Sequence, residues 1–222
     1  MSDIQIKICG VKNKEIAQHA IDAGASFIGF IFYEKSHRNI TAENCEEILS
    51  KIKNQTIPVA VTVNPDDNLL DDLLRVGFQY IQLHGHETLE MVERIKLKFG
   101  FKIIKAFGIS SSNDLDELVK YEPFVEYFLL DSPPQANVQG GTGHRFDWKI
   151  IKNLSITKNF FLSGGLNKDN IISAINLKKT SYFDVSSGVE DSEGIKDKQL
   201  ITEFIDKQKI LYDRITKGHS TY

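Results

Sequence analysis

Cys9 and Asp131 are two side chains whose types and settings fit a proton-transfer pair. Each closes a run of β-forming residues, IQIKIC at 4–9 and EYFLLD at 126–131. A thiolate can remove a proton and a protonated carboxyl can deliver one, provided that both forms coexist. Partial burial raises a carboxyl pKa, and nearby positive charge lowers a thiol pKa. Lys7 shares a strand face with Cys9 and is a candidate for that charge. The alternative is a buried cysteine acting as a small hydrophobe, beside an aspartate that caps or pairs locally.

Other β-rich runs also end in polar groups. The loop after the second run holds Ser36, His37 and Arg38, and the third run ends in Asn64. The fourth ends in His84, the seventh in Ser163-Gly164-Gly165, and the eighth in Asp184 and Ser186-Ser187-Gly188. Glycine lets backbone N–H groups approach an anion, so the last two clusters suit a phosphate; tight turns are their other use. Arg38 offers a fork of donors that fits a carboxylate, although an exposed arginine is the commoner fate. His84 and His86 have the spacing of some metal sites, but no third ligand accompanies them and no metal site is expected.

These groups need elements to position them. Strand-like runs at 4–9, 26–33, 57–64, 80–84, 102–107, 126–131, 160–163 and 182–186 alternate with helical periodicity at 14–23, 87–99, 114–121, 168–175 and 198–214. Further helices follow Thr41, a residue suited to an N-cap, and the turn at 65–67. Asp147-Trp148 reads as another helix start, after a long loop at 132–147 whose Gly140, Gly141 and Gly143 could form a flap. Eight β-then-α units in 222 residues predict one α/β domain, a (β/α)₈ TIM barrel with parallel strands. The barrel is expected over residues 1–215, with a loose tail at 216–222. In this fold, chemistry sits where strands run into the following helices. No GxGxxG follows the first strand, which argues against a dinucleotide fold.

Composition agrees with a globular enzyme. A 41% hydrophobic content excludes an intrinsically disordered chain. A chain of this size buries about 70% of its surface on folding, enough for a large core. With 27 Lys+Arg against 30 Asp+Glu, the net charge of −3 does not suit non-specific nucleic-acid binding. No apolar run approaches the roughly 20 residues of a bilayer span. The first residues lack the basic start and apolar stretch of a secretion signal. A cytoplasmic setting, with Cys9 and Cys45 both reduced, is the expectation.

The motifs KICG (7–10), GFIFY with SHR (29–38), QLHG (82–85), LLDS (129–132), GGTG with FDW (140–148), SGGLN (163–167) and DVSSGVE (184–190) together resemble the phosphoribosylanthranilate isomerase family of tryptophan biosynthesis. The resemblance spans residues 7–204 in the family's order. It implies a cofactor-free Amadori rearrangement of a small phosphorylated aminosugar, with no nucleic-acid or membrane partner. By this match Asp131 is the general acid and Cys9 the general base. Arg38 would hold the anthranilate carboxylate. Gly164, Gly165, Ser186 and Ser187 would bind the phosphate, and His84 and Asp184 would line the site.

The sequence departs from the family's usual pattern locally. The second loop lacks the common proline before Arg38, Thr62 stands where an aromatic is common, and Ser163 stands where alanine is common. The histidine-pathway aminoaldose isomerases resemble this chain less, because they carry aspartate where Cys9 stands. The lysines and N-terminal extension of indole-glycerol-phosphate synthase are not evident. A catalytically dead barrel would be expected to lose Cys9 or Asp131.

Overall fold

The computed structural model describes residues 4–52, 54–133 and 147–217. Eight parallel strands close into a barrel in sequence order: β1 (Gln5–Cys9), β2 (Phe27–Phe32), β3 (Ile57–Thr62), β4 (Tyr80–Leu83), β5 (Lys102–Gly108), β6 (Tyr127–Asp131), β7 (Phe160–Leu162) and β8 (Tyr182–Val185). Around them lie α1 (Lys14–Ala23), α2 (Ala42–Ile52), α3 (Asp67–Val76), α4 (Leu89–Phe99), α5 (Asn113–Tyr121), α6 (Ile171–Ile175) and α7 (Lys198–Lys217). The expected barrel is therefore present.

The helices begin and end where local chemistry dictates. Asn13, Asp66 and Thr88 accept N–H bonds from the first turns of α1, α3 and α4. Gly24, Gly77 and Gly100 close the same helices in the left-handed conformation. Thr41 accepts from Asn44 N at the head of α2, as its sequence position suggested.

Two of the local departures have a visible physical cause. The helix expected from Glu87 starts at Leu89, because the Glu87 carboxylate turns inward to Lys105 Nζ, 2.8 Å away. The helix expected over 168–175 is one short turn from Ile171, because Asn170 spends its side chain on Asn167 N and Gly165 O. The segment opened by Asp147 is a 3₁₀ helix, Trp148–Asn153. A small antiparallel pair, β9 (Glu190–Ser192) and β10 (Ile195–Lys196), follows β8 and has no counterpart in the sequence reading. Helix α7 runs to Lys217, into the segment read as tail, while residues 218–222 and the Gly140–Gly143 cluster lie outside the described residues.

The barrel interior is filled in layers. At the N-terminal end, Phe27, Tyr80, Tyr127 and Tyr182 come from the even strands. Their rings meet one another and Phe161 edge-on or tilted, with centroids 5.1–6.4 Å apart. This aromatic plug closes one end and leaves the strand C-termini as the open one. By the two-residue period, Gly29, Gln82, Leu129 and Asp184 occupy the middle of those strands. Cys9, Val61, Ala106 and Ser163 come from the odd strands near the rim.

Candidate active site

The nine residues singled out for catalysis or binding line one cavity at the C-terminal rim: Cys9, Arg38, His84, Asp131, Gly164, Gly165, Asp184, Ser186 and Ser187. The apolar wall between them comes from Ile31, Tyr33, Val61, Val63 and Leu166.

Cys9 ends β1 and is 5% exposed. Below it, Lys7 is fully buried and its Nζ lies 2.7 Å from Asp184 Oδ1. Ser163 Oγ donates to the other oxygen of Asp184 at 3.3 Å. Burial pushes the Cys9 thiol up from its ordinary value, and Lys7 and Lys196 pull against that push. For Lys7, the neighbouring Asp184 and Cys9 outweigh the cost of burial and hold the ammonium charged. Gly29 makes this arrangement possible. A Cβ there would stand 2.9 Å from Cys9 Sγ and 3.2 Å from Lys7 Nζ.

Asp131 ends β6, with Oδ1 accepting from Ser132 N at 2.7 Å. Its Oδ2 faces His84 Nε2 at 3.5 Å. Withdrawal from water pushes the Asp131 carboxyl up, against the pull of His84 and the Ser132 N–H. The same withdrawal pushes His84 down, so its imidazole is held toward the neutral form. Gly164, at φ +82°, passes so close that a Cβ there would meet Ser132 N at 2.7 Å and Asp131 Oδ1 at 3.1 Å. Only glycine combines that backbone conformation with that approach.

The turn after β4 is tied down from behind. Glu87 accepts from Asn64 N at 2.8 Å and from Gly85 N at 3.0 Å, besides its pair with Lys105. This sets His84 at the cavity while His86 is exposed, so the two histidines do not converge. Asn64 is exposed, at φ +46°.

Arg38 is buried and held by both oxygens of Glu190, through Nε and Nη2 at 2.7 Å each. Two of its five N–H donors are thus spent on Glu190. Lys196 Nζ reaches the same Glu190 carboxylate at 2.5 Å, Ser186 O at 3.1 Å and Ser186 Oγ at 3.2 Å. Despite its burial, Glu190 is held down to about 2 by Arg38 and Lys196. Burial pushes the Lys196 ammonium down while Glu190 holds it up, and with Arg38 it sets two basic groups against one carboxylate beside Ser186. The loop that carries Arg38 lacks the family's proline but is ordered by hydrogen bonds. Ser36 Oγ accepts from Arg38 N at 3.2 Å, and Asn39 Oδ1 accepts from Tyr33 N at 2.8 Å.

A cavity with a thiol against a lysine on one strand, a carboxyl at the end of a second against an imidazole after a third, and a glycine-lined rim beside basic groups fits acid–base chemistry on a small anion. The family described as N-(5'-phosphoribosyl)anthranilate isomerase matches this chain over residues 6–207. The chain belongs to that family. It is an aldose–ketose isomerase, an intramolecular oxidoreductase of tryptophan biosynthesis. Named relatives include the N-(5'-phosphoribosyl)anthranilate isomerases of Zymomonas mobilis subsp. pomaceae, 40% identical over 94% of this chain and 99% of that one, and of Caulobacter sp., 39% identical over 93% and 99%. Among solved structures, the Thermotoga maritima enzyme superposes with a TM-score of 0.82 at 35% identity, covering 93% of this chain and 98% of that one. A phosphoribosyl anthranilate isomerase in complex with reduced 1-(o-carboxyphenylamino)-1-deoxyribulose 5-phosphate superposes at 0.79 with 34% identity, over 93% and 98%.

Three residues of the isomerase's site were not reached by sequence reasoning: Gln82, which lines the cavity, and Glu190 and Lys196, which hold Arg38 and Ser186 from behind. Glu190 and Lys196 sit on the β9–β10 pair, outside the eight-unit pattern that located the other groups. Gln82 lay inside a quoted motif, but a neutral amide at mid-strand carries no chemical signal of its own. The period-2 rule was the one available clue, because it places Gln82 on the face of His84. Thr62 faces outward between strands, its hydroxyl 3.4 Å from Gln82 O, so that departure from the family lies away from the cavity.

Proposed function

We propose that Asp131 and Cys9 are the general acid and general base with which this isomerase converts N-(5'-phosphoribosyl)anthranilate into 1-(2-carboxyphenylamino)-1-deoxyribulose 5-phosphate. The observation that carries this reading is that both residues open onto one cavity, each with a partner suited to its role.

Protonated Asp131 gives its proton to the furanose ring oxygen. The bond between that oxygen and C1 breaks, and the nitrogen lone pair forms a C1=N iminium. Its positive charge acidifies the proton on C2 and favours a nearby thiolate. Cys9 removes that proton, and the electron pair moves into C1=C2 to give an enolamine. The C2 hydroxyl then loses its proton while C1 gains one, which leaves the ketone. Return of the Cys9 proton and reprotonation of Asp131 close the cycle, so the reaction is a net isomerisation. Each positioned proton transfer contributes ~10²–10⁴-fold to the rate. Lys7 supports the thiolate from below. His84 supports the Asp131 carboxylate once its proton has left.

The remaining groups divide the substrate's two anionic ends between them. Gly164, Gly165, Ser186 and Ser187 take the phosphate, at a rim backed by the basic Lys196 and Arg38. Arg38, aimed by Glu190, offers its unspent donors to the anthranilate carboxylate. The partner is a small phosphorylated aminosugar, and the setting is the cytoplasm.

The test is loss of substrate fluorescence on adding purified protein to phosphoribosylanthranilate, with and without EDTA. Turnover that survives chelation is expected. Turnover abolished by EDTA would contradict an acid–base mechanism that runs on these side chains alone.

A further inference from the structure

Gln82 occupies the middle inward position of β4, is 1% exposed, and lines the cavity one layer below His84. Its amide nitrogen lies 2.7 Å from His84 Nδ1. Its Oε1 is buried and has no hydrogen-bond partner among the described residues. Nearly all buried polar atoms are paired, so an acceptor left open at a substrate cavity marks a place for a donor. Half a turn of the amide would let Oε1 accept from Nδ1–H instead.

The neighbours favour the orientation observed. His84 Nε2 faces Asp131 Oδ2 at 3.5 Å. When Gln82 Nε2–H is given to Nδ1, a neutral imidazole carries its own proton on Nε2, facing Asp131. That N–H is the donor an Asp131 carboxylate needs after it has protonated the ring oxygen. The substrate's phosphate and carboxylate bring only acceptors to Oε1. Its anilino N–H is engaged by the ortho carboxylate. The sugar hydroxyls are the donors that remain.

We propose that Gln82 is a substrate-contacting and positioning residue, whose Nε2–H fixes the tautomer of His84 opposite Asp131 and whose Oε1 accepts a hydrogen bond from a hydroxyl of the sugar. This rests on the Cys9/Asp131 reading of the cavity and adds a specificity element for a hydroxylated substrate.

The test combines kinetics on phosphoribosylanthranilate with ¹⁵N-histidine NMR. Gln82→Met keeps the length and loses both amide functions. KM is expected to rise about tenfold and kcat to fall about tenfold, the size of one neutral hydrogen bond each. In the wild type, His84 should show a protonated Nε2 and a bare Nδ1; in the Met variant this preference should relax. A Met variant with wild-type kcat and KM would overturn the proposal. So would a wild-type His84 protonated on Nδ1, a result that does not depend on the variant's folding. A wild type without turnover would sink the parent reading as well, whereas wild-type turnover with an unaffected variant sinks this inference alone.

Discussion

Lys7 Nζ lies 2.7 Å from Asp184 Oδ1 at the floor of the cavity, with the Lys7 side chain fully buried and that of Asp184 5% exposed. A buried ion pair is a weak source of net stability, but breaking it by removing one partner leaves an uncompensated charge. The pair places an ammonium directly behind the Cys9 thiol. Its role in folding and its role in chemistry separate by mutation.

Lys7→Met should destabilise the fold by about 3–5 kcal/mol, the usual cost of orphaning a buried charge. Lys7→Met combined with Asp184→Leu should recover most of that loss, while kcat stays well below wild type. Urea denaturation and steady-state kinetics on both variants check this. A double variant that regains both stability and turnover would remove Lys7 from the chemistry.

Gly29 leaves room for the Cys9 sulfur and the Lys7 ammonium. An alanine methyl would meet Cys9 Sγ at 2.9 Å and Cys9 Cα at 3.2 Å. Overpacking of this kind costs typically 1–3 kcal/mol. Gly29→Ala should fold, melt at a lower temperature, and lose at least about tenfold in kcat through displacement of the thiol. Circular dichroism and kinetics together check it; unchanged kcat would contradict the proposed close fit.

The pH profile follows from the two groups' directions. The active form needs a Cys9 thiolate and a protonated Asp131 together. Burial raises both pKa values, the thiol's from an ordinary 9.0 and the carboxyl's from an ordinary 3.8. The active form is then a minority species with a constant share between the two values and a falling share outside them. The acid limb of kcat/KM belongs to the Asp131–His84 pair, with Asp184 and Lys7 facing it. The alkaline limb belongs to Cys9, faced by Lys7, Asp184 and Lys196, and should lie above pH 9.0, its ordinary value. Removing the Lys7 charge raises the thiol further, so in Lys7→Met that limb should move to higher pH. An alkaline limb near neutrality, or one that Lys7→Met leaves in place, would contradict the assignment.

The barrel was legible because each strand carries its own signature, an apolar run that ends in a polar group or glycine. That signature located Cys9, His84, Asp131 and Asp184 before any geometry was known. What the strand pattern could not report is the tertiary partner of each group. Arg38 reads as a free guanidinium in sequence, but Glu190, 152 residues away, grips it with both oxygens. Gly188 reads as part of an anion loop. Its lack of a side chain is also demanded by packing, since a Cβ there would collide with Leu166 O at 1.9 Å. The early end of α6 and the late start of α4 were hidden for a related reason. Asn170 and Glu87 are drawn out of helix by partners that only the fold supplies.

The most direct test compares kcat for Cys9→Ser and Asp131→Asn with wild type on phosphoribosylanthranilate, alongside the affinity of each protein for inorganic phosphate. Each variant should lose at least ~10²-fold in kcat and keep its phosphate affinity, because each removes one proton transfer and leaves the glycine-lined rim intact. Near-normal turnover in either variant would show that its residue does not move the proton assigned to it.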